Sequence, residues 1–144
     1  MRIYTIGFTK KTAEKFFTLL KESGARRVVD IRLNNVSQLA GFSKKDDLKY
    51  FLREICALDY VHLPELAPTP EILDKYRDNK KQWPRFEKEF LALMAERVVE
   101  KSVPRKLLDK ACLLCSEAEP THCHRRMVAE YLAKKWGGGE IVHL

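Results

Sequence analysis

Glycine and proline are scarce in this sequence, six of each in 144 residues, which excludes a collagenous, low-complexity or disordered chain. No apolar run approaches the ~20 residues that span a bilayer. Strand-like sequence begins at Arg2 with no apolar leader segment, which argues against a signal peptide. These absences predict a soluble, cytoplasmic protein without membrane contact. Acidic residues are the minority, 20 against 27 Lys and Arg, for a net charge of +7. Such a surplus gathers anions such as phosphates, nucleotides or nucleic acid, and it is also what a lysine-rich solvated surface looks like.

What is present reads as one α/β domain over residues 1–144. A chain of this length buries roughly two-thirds of its unfolded surface, so its folding requires no metal, disulfide or cofactor. Strands are predicted at Arg2–Ile6, Arg27–Ile31, Tyr60–Leu63, Ala111–Cys115 and Ile141–His143. Between them lie helical patterns. Thr12 caps Ala13, Phe16, Phe17 and Leu20, with Gly24 as the stop. A turn-like stretch, Leu33 to Gly41, leads to Ser43, which is expected to cap a helix burying Leu48, Phe51, Leu52 and Ile55. Thr69-Pro70 opens a short helix with Ile72, Leu73 and Tyr76 on its apolar side. After a polar loop, Asp78–Gln82, Pro84 starts a longer helix with Phe86, Phe90, Leu93, Met94 and Val98 on one face. A last helix is expected from about Thr121 to Trp136. Strands alternating with helices imply a three-layer domain, a mainly parallel sheet of about five strands flanked by helices.

Ligands of open parallel sheets bind beyond the carboxyl ends of the strands. Polar residues gather at those positions: Gly7-Phe8-Thr9, Asp30-Ile31-Arg32, Cys115-Ser116-Glu117, then His122-Cys123-His124-Arg125-Arg126 at a helix start. The chain here resembles the domain of unknown function 488 family. The resemblance rests on Tyr4-Thr5-Ile6-Gly7, Val29-Asp30-Ile31-Arg32, Leu114-Cys115-Ser116-Glu117, Cys123-His124-Arg125 and the closing Val142-His143. The run Asn34 to Phe42 looks like one branch of that family, and Ala67 departs from a glycine found in many relatives. The resemblance implies the α/β fold and a shared polar site, and it supplies no activity.

The residues themselves suggest roles. If Thr121 caps the last helix, Cys123 lies in its first turn, where the helix dipole and neighbouring cations favour a thiolate nucleophile. Arg125 and His124 at the same end suit an anion. Asp30 and Arg32, two apart on a strand, share a face and either bind a polar ligand or pair with each other. Cys115 ends a strand beside them. Glu117 is a candidate base or nucleophile, or else a loop residue capping the next helix. No Cys-x5-Arg loop of the phosphatase kind follows any cysteine, and the glycine spacing of a dinucleotide loop is missing after the first strand.

Metal chemistry is less favoured. Cys112 and Cys115, three apart on a strand, point to opposite faces and cannot act as a zinc pair. A smaller set of Cys115, Cys123 and a histidine stays open. The sequence thus predicts a small anionic ligand, phosphate-bearing and nucleotide-like, with hydrolysis or group transfer as the reaction class. The rival reading is a non-enzymatic nucleic-acid-binding or regulatory module, with any nucleic acid held non-specifically by scattered basic doublets and Tyr50, Tyr76 and Trp83 as stacking groups. Oligomeric state is not legible.

Overall fold

Hydrophobic alternation along the strands builds the sheet. Ala111 and Leu113 face one layer of helices while Cys112 and Leu114 face the other, and Ile3, Val29 and Ile31 against Tyr4, Ile6 and Val28 repeat the division. In the computed structural model, which describes residues 1–35, 41–78, 82–117 and 119–144, five strands form one parallel sheet. They are β1 (Arg2–Gly7), β2 (Arg27–Asp30), β3 (Asp59–His62), β4 (Ala111–Cys115) and β5 (Glu140–His143), in the order β3-β2-β4-β1-β5. The expected loop Leu33 to Gly41 and polar loop Asp78–Gln82 fall partly outside the described residues.

Helices α1 (Ala13–Ser23) and α2 (Lys45–Phe51) cover one face. The other face carries α3 (Pro70–Asp78), α4 (Trp83–Arg97), α5 (Val99–Ser102), α6 (Arg105–Leu108) and α7 (His124–Lys135). The chain runs β1-β2-β3 with helices on the first face, then returns β3-β4-β5 with helices on the second, as right-handed crossovers require. The return inserts β4 between β2 and β1, so neighbouring strands send their connections to opposite faces on both sides of β4. Crevices therefore open at the carboxyl end of β4. No described helix is long and apolar enough to cross a membrane.

Capping explains where α1 begins and ends. The Thr12 side chain accepts from the Lys15 N–H, and Gly24 closes the helix at φ 86°, a left-handed position that suits glycine. Three expectations need correction. Ser43 is not the cap of α2; it lies buried in a 3-10 turn, Gly41–Ser43, and Lys44 takes the cap position without a side-chain bond. Ile55 is 43% exposed, because α2 widens into a π turn at Leu52–Cys56 and the added residue rotates it off the buried face. Val98 leaves the apolar face of α4 and ends the helix at φ 50°. Both last strands and the α4 start fall within a residue or two of expectation.

Candidate functional site

Beyond the ends of β2 and β4 lies a cavity of about 320 Å³. Arg32 to Asn34 form one side, Cys115 to Glu117 and His122 to His124 another, and Tyr76, Trp83 and Phe86 make an aromatic wall from α3 and α4. Five of the seven expected site residues (Arg32, Cys115, Glu117, Cys123 and His124) meet here. Asp30 and Arg125 do not line the cavity; each supports it from behind.

Asp30 is fully buried beneath Arg32. Its Oδ1 accepts from the Arg32 Nε at 2.9 Å and its Oδ2 from Nη2 at 2.8 Å, a two-pronged ion pair. The Arg32 backbone N–H donates to Oδ1 as well, and the Tyr60 hydroxyl donates to Oδ2. Burial first, then this bond to the Asp30 carboxylate, pushes the Tyr60 hydroxyl pKa well up. Phe8 packs under the guanidinium, whose carbon is 5.4 Å from the ring centroid. Arg32 is 2% exposed, and its Nη1 is buried without a hydrogen-bond partner among the described residues.

Arg125 is buried on the α7 face of the sheet. Its Nη1 donates to the Glu117 carbonyl and its Nε to the Thr5 hydroxyl, so it anchors the β4–α7 connection from below. Gly7 makes this possible. A Cβ there would lie 1.6 Å from the Glu117 carbonyl oxygen and 2.7 Å from Arg125 Nη1. The Glu117 side chain itself is exposed at the cavity rim.

The thiols lie differently from expectation. Cys123 is not in the first turn of α7 but is its N-cap, in extended conformation and nearly fully buried. The helix starts two residues later than a Thr121 cap would place it. Burial, then the hydrogen bond with Cys115, raises the Cys123 pKa well above the ordinary thiol value. Burial also opposes ionisation of Cys115. There the Cys123 thiol, the Ser116 and Glu117 backbone N–H groups and the Arg125 charge outweigh it and hold Cys115 below the usual range. Cys112, buried in the opposite layer, is pushed far up by desolvation, which the Arg125 charge only partly offsets. The site that sequence placed on Cys123 therefore has its more acidic thiol at Cys115.

His124 completes the group. Its Nδ1 is 3.2 Å from Cys115 Sγ, and its Nε2 is 2.7 Å from the Ile31 carbonyl. A carbonyl only accepts, so Nε2 carries the proton and Nδ1 turns its lone pair to the thiol. Cys115, Cys123 and His124 each offer a ligand atom, all within 4.8 Å of one another. Their joint burial distinguishes them from an accidental surface cluster.

The family model described as Domain of unknown function DUF488 matches residues 12–132. The chain belongs to the DUF488 family. The matched span holds Asp30, Arg32, Cys115, Glu117, Cys123, His124 and Arg125, every expected site residue of this DUF488 chain. The Tyr4–Gly7 and Val142-His143 segments lie outside it. No curated protein and no solved structure matches the chain.

Sequence reasoning missed Tyr60 as the second partner of Asp30, His62, whose Nε2 bonds the Arg32 carbonyl, and Gly7 as the seat of Glu117. Tyr60 and His62 sit on β3, and nothing local signals that β3 pairs with β2. Trp83, considered for surface stacking, is turned inward, stacked on Phe86 and beneath His122.

Proposed function

We propose that the cavity binds a small anion attached to an aromatic or apolar body, a phosphate-bearing, nucleotide-like molecule, with hydrolysis or group transfer as the reaction class. Arg32 Nη1 carries this reading. It is a charged donor, buried and without a partner among the described residues, on a residue that lines the cavity. An unsatisfied buried donor costs about 1–3 kcal/mol, more when charged, and an anion accepting from Nη1 removes that cost. Asp30 fixes the other two nitrogens of the fork, so the free one has a set direction. Nη1 is sealed from solvent, so binding includes a slight opening of the wall at Arg32.

The remaining walls suit the rest of such a ligand. Tyr76, Trp83 and Phe86 offer apolar surface, Arg77 adds a positive charge at the same cavity, and His122 adds a hydrogen-bonding imidazole. Glu117 and Cys115 are the groups at hand for chemistry on a bound ester. The test is calorimetric titration of the reduced protein with a nucleoside monophosphate, its nucleoside and inorganic phosphate. Arg32→Lys keeps a cation for Asp30 but removes the free prong. The nucleoside monophosphate should bind most tightly, and Arg32→Lys should weaken it by about tenfold, ~1.4 kcal/mol. Equal binding by the variant, or heat from none of the three compounds, overturns the reading.

A further inference from the structure

We propose that Cys115 Sγ, Cys123 Sγ and His124 Nδ1 form a three-ligand site for a zinc-class divalent ion, with the fourth position opening into the cavity. The inference goes beyond anion binding at Arg32 and stands independently of it.

The donor set comes first. Two thiolates and an imidazole are what borderline-soft ions such as Zn2+ select over Mg2+ or Ca2+, which take oxygen ligands. Geometry comes second. With Zn–S near 2.3 Å and Zn–N near 2.0–2.1 Å, tetrahedral ligand atoms sit roughly 3.5–3.8 Å apart. The spacings here lie close to that range, 3.2 Å from Cys115 Sγ to His124 Nδ1 and no pair beyond 4.8 Å. Small side-chain rotations accommodate the ion.

The surroundings of His124 are the third argument. Histidines that bind metals hand their other N–H to a carbonyl or carboxylate, which sets the tautomer and aims the free nitrogen. His124 does this through Nε2 to the Ile31 carbonyl, at 2.7 Å. The ligands are also fixed by structure that does not depend on them: Cys115 ends a central strand, and Cys123 and His124 are the cap and first residue of α7. Three protein ligands beside a cavity is the arrangement of zinc sites that keep a position for water or substrate. All three residues line that cavity. Ion binding releases the thiol protons to solvent, and no redox change occurs.

Two thiols this close also suit a disulfide, and the experiment separates the two. The full chain, reduced with a phosphine and passed free of metal, is titrated with Co2+ and then competed with Zn2+. One Co2+ per chain should bind, with thiolate-to-cobalt charge transfer and the intense visible bands of a tetrahedral ion, both lost as Zn2+ displaces it. Cys115→Ser, Cys123→Ser and His124→Asn should each weaken Co2+ by at least about tenfold, while Cys56→Ser leaves it unchanged. Arg32→Lys should also leave it unchanged, so failure of this site and failure of the anion site read out separately. Absence of stoichiometric binding by the reduced wild-type chain overturns the proposal whether or not any variant folds. So does octahedral-type absorption, or a Cys115–Cys123 disulfide as the only chemistry the pair undergoes.

Discussion

Asp30 and Arg32 form a closed ion pair of which only one side is complete: both carboxylate oxygens are bonded, while one guanidinium nitrogen has no partner among the described residues. Both residues are buried. A purely structural pair in such a place is expected to be satisfied on every side. In the proposed reading this asymmetry makes Arg32 Nη1 the donor for the ligand, with the Asp30 carboxylate beneath the cavity as its support.

Removing the carboxylate should therefore be costly. Asp30→Ala leaves Arg32 charged and buried, and loses the Tyr60 bond as well. Chemical denaturation should show a loss of about 3–5 kcal/mol. A loss below about 1 kcal/mol would mean that water reaches Arg32 freely.

Gly7→Ala tests the support beneath the β4–α7 connection. The added methyl meets the Glu117 carbonyl and Arg125, neither of which can yield without moving the loop. Thermal melts should show destabilisation by about 1–3 kcal/mol, the range for overpacking. An unchanged melt would show that the loop is not seated on Gly7.

The order of thiol modification follows from the placement of the cysteines. On reduced, metal-free protein Cys115 should be alkylated ahead of Cys123, since Cys115 is the more acidic and both line the cavity. Cys112 should stay inert until the chain unfolds. Peptide mass mapping against time checks this, and modification of Cys112 or Cys123 first would contradict it.

His143 gives a pH dependence with a definite sign. Its Nδ1 bonds the Thr5 hydroxyl, and burial followed by the Arg125 charge lowers its pKa in the fold. The unfolded chain thus holds the proton more tightly. Stability is full above the ordinary histidine value of about 6.5 and declines as pH falls through it. Denaturation of wild type and His143→Gln from pH 7.5 to 5 should show a shallower decline in the variant. A decline of equal steepness would remove His143 from the account.

Local signals made much of the fold legible. The Thr12 cap and Gly24 stop bound α1 because both act within one turn, and Ala111–Cys115 reads as a buried strand because its apolar run is unbroken. The candidate site was legible as a set of residues but not as an arrangement. Placing β4 between β2 and β1 depends on pairings between distant segments, and the contacts that define the site follow from it: Tyr60 on Asp30, Arg125 on Thr5, Glu117 over Gly7. Helix boundaries are equally hard to fix from sequence, and a shift of a few residues turned Cys123 from a first-turn thiol into a buried cap.

The most direct measurement is a crystal structure of the protein soaked with a nucleoside monophosphate. The account expects a phosphate oxygen within about 2.7–2.9 Å of Arg32 Nη1, a charge-assisted bond, with the remainder of the ligand against Tyr76, Trp83 and Phe86. A phosphate bound elsewhere, or Arg32 Nη1 bonded to a protein carbonyl, would contradict it.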